Sequence, residues 1–170
     1  MERRITLLLR IPVFGGLSQD GVRFLLERAE TVTRGPGETF FREGELGDSL
    51  FVLELGRVSV LKRRGDVALR LAELGEGDCF GEVALLAIAP RSATVRADTD
   101  ARAFRIDSRA LMALYHHDLE QFALIQMNLG REVARRLRIA DELLFDQALL
   151  AAGPDALGEA VRTRTAELTR

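Results

Sequence analysis

Residues 79–97 read CFGEVALLAIAPRSATVRA. Gly81 precedes a single acid, Glu82; an apolar run then leads to Pro90, Arg91 and Ser92, and an alternating segment follows. Nine positions separate Glu82 from Arg91, too many for an i,i+4 ion pair on one helix. EVALLA has good helix formers and poor turn chemistry, so it is read as one short helix over about 82–87. Pro90 blocks its continuation.

The surroundings of this helix are of another kind. Nine of the fifteen glycines fall between Gly35 and Gly81, as punctuation between short β-type runs. The runs are ETVTR, ETFF, SLFVLEL, RVSVLKR and VALRLAEL before the quoted stretch, then SATVRA and ARAFRI after Ala89. RGPGE, EGELGDS, RRGD and LGEGD between them carry turn residues. Many short strands at regular spacing indicate an all-β sandwich or jelly roll.

Helices flank the β region. Leu17, Val22, Leu25, Leu26 and Ala29 fall near helical spacing, with Ser18 placed to cap them. Asp107 or Ser108 can cap a helix to about His116, and a long one is read from Asp118 to about Leu150. Its apolar positions Phe122, Ile125, Leu129, Val133, Leu137, Ala140 and Leu144 recur every three or four residues. Leu124, Met127, Ile139, Leu143 and Phe145 widen that stripe, which suggests a homodimer formed through this helix rather than packing on its own domain alone. Gly130 marks a candidate flexing point, because mid-helix glycine costs about 1 kcal/mol relative to alanine. The expected organisation is therefore a helical segment at 1–30, a β region at 31–106, C-terminal helices at 107–150, and a linker with a weak helix or frayed tail at 151–170.

The totals bound the class. The 170 residues are 47% hydrophobic, enough for one domain with a core and an appendage. A formal charge of −2 is not that of a nucleic-acid binder. Cys79 is the one cysteine, which excludes an intrachain disulfide and a cysteine cluster. MERRITLLLRIP lacks a small-residue cleavage site, and no apolar run has the length of a membrane span. A cytoplasmic protein is expected, with no membrane partner.

The quoted stretch has a chemistry of its own. The first N–H groups of a helix at 82–87, near Val83 and Ala84, lack intrahelical acceptors and favour an anion. Gly81 lets a ligand approach the backbone. Arg91 suits phosphate oxygens, and Ser92 can add a hydroxyl and an N–H. Glu82 suits a sugar hydroxyl instead. Together these describe a compact nucleotide with one negative charge. Spacing alone leaves open a Glu82–Arg91 salt bridge that merely closes the turn.

FGEVALLAIAPRSATVRA resembles the phosphate-binding cassette of cyclic-nucleotide-binding domains, with its F-G-E-x-A-L opening and its P-R-[AST]-A-T-V ending. The stretch is similar to both the regulatory subunits of protein kinase A and the bacterial catabolite activators. The resemblance extends over about residues 10–147, through VFGGLSQDGVRFLLERAE, GETFFREGELGDSLFVLELGRVSV and REVARRLRIADELL. It implies a mainly β fold with flanking helices: a β-roll, or jelly-roll-like double-stranded barrel, with an N-terminal helix, a cassette at 80–95 and a long C-terminal helix.

The resemblance also implies roles. Glu82 accepts from the ribose 2′-OH beside the Gly81 backbone, Arg91 pairs with the exocyclic phosphate oxygens, and the N–H groups of Val83, Ala84 and Ser92 complete the cradle. Val60 and Leu71 match apolar positions flanking sugar and base. Where catabolite activators carry a Thr-Ser pair that reads adenine, this chain has Ala140 and Asp141. Serine at 92 favours cyclic AMP over cyclic GMP. The expected function is a cyclic-nucleotide sensor that transmits occupancy through its C-terminal helices to a protein effector. The alternatives are a truncated or DNA-binding-deficient relative of a catabolite-activator-type regulator, and a cyclic-GMP sensor.

Other features point elsewhere only weakly. A winged helix-turn-helix would follow the long helix, but the twenty residues after Leu150 carry no recognition-helix pattern, so no DNA partner is expected. His116 and His117 lie outside the β region, and no nucleophile–base pair is visible. No enzyme activity, cofactor or metal is expected. Cys79 reads as a small packing residue. Arg131, Arg135, Arg136 and Arg138 alternate with acids, as on a solvated or inter-subunit face.

Overall fold

The computed structural model describes the backbone of residues 1–167 and the side chains of residues 1–151. The chain divides into two units, Met1–Glu132 and Val133–Arg170. The first opens with helix α1 (Glu2–Leu8), a 3-10 turn (Pro12–Phe14) and helix α2 (Gln19–Leu26). The Ser18 hydroxyl accepts the Gly21 N–H at 3.0 Å, the N-cap its place before the apolar run predicts. Helix α2 stops at Leu26, short of the residue 30 expected, because Glu30 already begins the first strand.

Eight strands follow: β1 (Glu30–Arg34), β2 (Thr39–Phe41), β3 (Ser49–Leu55), β4 (Val58–Arg64), β5 (Val67–Leu74), β6 (Cys79–Phe80), β7 (Thr94–Ala97) and β8 (Ala101–Asp107). They form two four-stranded antiparallel sheets, ordered β1-β8-β3-β6 and β2-β7-β4-β5. Helix α3 (Glu82–Ala87) interrupts the strands between β6 and β7, as expected from EVALLA. Strand β6 was not anticipated. Two residues cannot display alternation, and its pairing of Phe80 with Phe51 and Cys79 with Val52 exists only in three dimensions.

Strand β3 explains how the layers are held. Side chains alternate across a strand, so its successive residues serve different cores. Leu50 and Val52 join Phe104, Ile106 and Cys79 against the helices, around Ile5, Leu8, Val22 and Leu25. Phe51 and Leu53 face the opposite way, into a core with Phe40, Phe41, Phe80 and Val95. A strand covered on both faces reads as a continuous apolar run, and LFVL (50–53) is one. Phe51 and Phe80 stack with centroids 5.2 Å apart, while Phe40 meets Phe80 edge-on at 5.2 Å.

Strand β5 is an edge strand of the second sheet. Its register with β4 passes from Val60↔Ala72 to Leu61↔Arg70, so Leu71 is the extra residue of a bulge. Helix α4 (Ser108–His117) starts from Asp107, whose carboxylate accepts the Ala110 N–H at 2.8 Å.

Helix α5 (Leu119–Glu167) begins in the first unit, where Ile125 and Leu129 are fully buried. In the second unit Leu137, Ile139, Leu143, Leu144, Phe145 and Leu150 are exposed. The expected end near Leu150, with a linker after it, is corrected: the helix continues to Glu167. The last three residues of the tail expected over 151–170 lie outside the described residues. None of the described helices is long and apolar enough to cross a membrane.

Phe80 contacts three other phenylalanine rings and is almost wholly buried. Phe80→Ala is expected to lower the unfolding free energy by roughly 3–5 kcal/mol. Urea denaturation checks this; a loss below about 1 kcal/mol would mean that the ring cluster does not hold the sheets together.

Candidate functional site

The site is built where the chain leaves β6. Gly81 has φ +83°, a conformation that costs side-chain-bearing residues and that glycine adopts readily. It serves as the N-cap residue of α3, so Val83 and Ala84 lie in the first turn, where N–H groups have no acceptor within the helix. Glu82 is only 2% exposed and Ala84 is buried, whereas the Val83 side chain is turned outward.

Arg91 comes back to Gly81 from the far end of the cassette. Its own backbone fixes the return: Arg91 N–H donates to Glu45 O at 2.8 Å, and Arg91 O accepts from Gly44 N–H at 2.9 Å. The side chain is 5% exposed. Nη1 donates to Ser49 O at 2.7 Å and to Gly81 O at 2.8 Å, and Nη2 donates to Ser49 Oγ at 3.0 Å. The guanidinium lies over the Phe41 ring, 4.1 Å from its centroid. These bonds anchor the arginine to β3 and to the start of α3.

Two glycines make the room. A Cβ on Gly81 would lie 2.5 Å from Arg91 Nη1 and 3.1 Å from Ser49 O, and one on Gly47 would overlap the Arg91 side chain. Burial lowers the Arg91 pKa from its usual value; the negative field of Asp48 opposes this, Arg105 adds to it, and Glu45 and Glu82 oppose it in turn. Arg91 Nε is buried and has no hydrogen-bond partner among the described residues. A buried charged donor of this kind suits a bound anion.

Ser92, the next residue, is exposed, and its carbonyl accepts from Lys62 Nζ at 2.6 Å. Lys62 also pairs with Glu43 at 2.7 Å. The Glu43 pKa is lowered, first by the hydrogen bond from Lys62 and then by the Arg63 N–H. Val60 lies half-buried on β4. Leu71 is 58% exposed at the β5 bulge. Ala140 and Asp141 are exposed residues of the second unit. Gly81, Glu82, Ala84 and Arg91 are thus gathered in or beside one short helix. Among the described residues no three or more metal-ligating side chains cluster.

Sequence reasoning missed Gly47, Asp48, Ser49, Phe41 and Arg105. GELGDS read as a turn, and nothing local to it announces that Ser49 and Gly47 will enclose an arginine more than forty positions later.

The family model for the cyclic nucleotide-binding domain matches residues 32–118. The cyclic AMP receptor protein of Thermus thermophilus is 32% identical over 135 residues, covering 76% of this chain and 59% of that protein. The chain thus spans about three fifths of that relative's length. The crystal structure of the catabolite activator protein of the same organism superposes with a TM-score of 0.72 at 31% identity, covering 81% of this chain and 63% of that one. A cyclic nucleotide-binding domain from Methylobacillus flagellatus shares the fold at TM-score 0.79 and 22% identity, covering 87% of this chain and 86% of the other.

Gly81→Ala is expected to cost at least about 1–2 kcal/mol of stability, since an L side chain in left-handed backbone is strained and the added carbon would also displace Arg91. Thermal and urea unfolding of the purified variant check this, with an unchanged midpoint as the contrary result.

Proposed function

Since the chain belongs to the cyclic nucleotide-binding domain family, we propose that it senses a cyclic nucleotide, cyclic AMP in preference to cyclic GMP, and transmits occupancy through α4 and α5. The observation that carries this is the buried Arg91 guanidinium, with Nε facing no acceptor among the described residues and two glycines clearing its approach. The anion it suits is small and singly charged. A cyclic phosphodiester has one negative charge, and its ribose 2′-OH can donate to the adjacent Glu82.

In this reading Arg91 meets the exocyclic phosphate oxygens. The N–H groups of Val83, Ala84 and Ser92 complete the cradle beside the Gly81 backbone. Val60 and Leu71 flank sugar and base. Ser92 and the name of the Thermus thermophilus receptor support cyclic AMP. In this reading the protein is a sensor and not an enzyme, working in the cytoplasm.

Transmission requires that the nucleotide bind one arrangement of the helices more tightly than another. A tenfold bias needs about 1.4 kcal/mol, which one charged hydrogen bond kept in only one arrangement supplies. The exposed apolar residues of α5 in the second unit are the proposed homodimer surface, and a protein effector the proposed recipient.

Calorimetric titration with cyclic AMP and cyclic GMP, with light scattering for the subunit count, tests this reading. Arg91→Ala should weaken affinity about 100-fold or more, because the buried phosphate loses its charged partner. Unchanged affinity would remove Arg91 from the phosphate. Glu82→Ala should narrow the gap between cyclic AMP and its 2′-deoxy analogue, and a gap preserved in full would take the ribose away from Glu82.

A further inference from the structure

Ser49 is 1% exposed, and its hydroxyl serves two arginines at once. Oγ accepts from Arg91 Nη2 at 3.0 Å and from Arg105 Nε at 3.1 Å. A serine hydroxyl has two acceptor positions, so both are taken by guanidinium groups. Arg105 has its other nitrogens occupied: Nη1 donates to Glu30 at 3.1 Å and Nη2 to Asp48 at 3.0 Å. Strand register explains the meeting. Arg105 on β8 lies directly opposite both Phe51 on β3 and Glu30 on β1, so it shares the face of Phe51 and Ser49 and reaches toward Arg91.

Two cations beside one hydroxyl repel, and Arg105 indeed adds to the lowering of the Arg91 pKa. The acids decide the balance. Burial works to lower the Arg105 pKa, but Glu30 and Asp48 outweigh it, and the net direction is upward. Asp48 is also the strongest favourable charge acting on Arg91. The Asp48 carboxylate is engaged by Arg105 Nη2 at 3.0 Å. We propose that Arg105 is the positioning residue of this site: through the Ser49 hydroxyl it sets the direction of the Arg91 guanidinium, and by engaging Asp48 it keeps that guanidinium available to an anion.

The inference rests on the reading of Arg91 as the phosphate ligand. Its benefit is preorganisation, since a long arginine side chain held in place before binding loses less freedom when the ligand arrives.

The test is calorimetry with cyclic AMP on the full chain. Arg105→Gln should weaken affinity about tenfold, the order of one charged hydrogen bond. The same substitution made on Arg91→Lys should change affinity less than about twofold, because the fork that Arg105 directs is gone. Asp48→Asn added to Arg105→Gln should recover about threefold of the loss, the share owed to the freed carboxylate. A merely structural role would give equal losses in both Arg91 backgrounds and no recovery. Should Arg105→Gln fail to fold, Ser49→Ala cuts the link while leaving both arginines and the Arg105–Asp48 pair, with a loss of about threefold or more expected and most of it recovered by Ser49→Thr. If the wild type binds and Arg91→Lys weakens it, but Arg105→Gln and Ser49→Ala stay within twofold, the positioning role is overturned and the site reading stands. If the wild type does not bind, both fall.

Discussion

A guanidinium charge is kept inside a β fold, and most of the local architecture follows from the need to keep it there. Removing a cation from water is costly unless its donors are matched. Arg91 meets this cost with the carbonyls of Ser49 and Gly81, the Ser49 hydroxyl and the face of Phe41. Each partner demands something of the chain. The Gly81 carbonyl is reachable because residue 81 takes a left-handed turn, and the side chain fits because residues 47 and 81 have no Cβ. Without those two glycines the arginine could not lie where it does.

The aromatic cluster is the second half of the same arrangement. Phe40, Phe41, Phe51 and Phe80 fill the core that includes residues of both sheets, and Phe41 also forms the apolar floor beneath the guanidinium. Burial between sheets thus supplies the rigid wall on which a charged group is displayed. Strand β3 lies at the centre of this economy. Its even positions pack under the helices and its odd positions pack between the sheets, and its first residue, Ser49, bonds to two arginines. A change in that strand would be felt in the helical layer, the inter-sheet core and the site together.

The regular parts of this chain were readable because they obey short-range rules. Helix α3 follows from EVALLA followed by Pro90, the caps at Ser18 and Asp107 from their places before apolar runs, and seven of the strands from alternation between glycine-rich turns. The cassette itself is legible since its acid, its glycine and its arginine lie within eleven residues, 81–91. Strand β6 and the bulge at Leu71 were not, as two residues show no period and a bulge is defined by its partner strand. The end of α5 was not legible: the local reading places it near Leu150, whereas the helix runs to Glu167.

Composition, periodicity and turn chemistry determined on their own the class of fold and the short helix inside the β region, and they singled out Glu82 and Arg91 while leaving a simple salt bridge between the two open. Only the tertiary structure decided what surrounds Arg91. Ser49, Gly47 and Phe41 lie more than forty positions away in the chain, and Arg105 and Glu30 meet through strand register. The physical reason is that helix and strand periods are encoded between neighbours, whereas a buried charge is satisfied by whichever polar groups the folded sheets bring within about 3 Å of it.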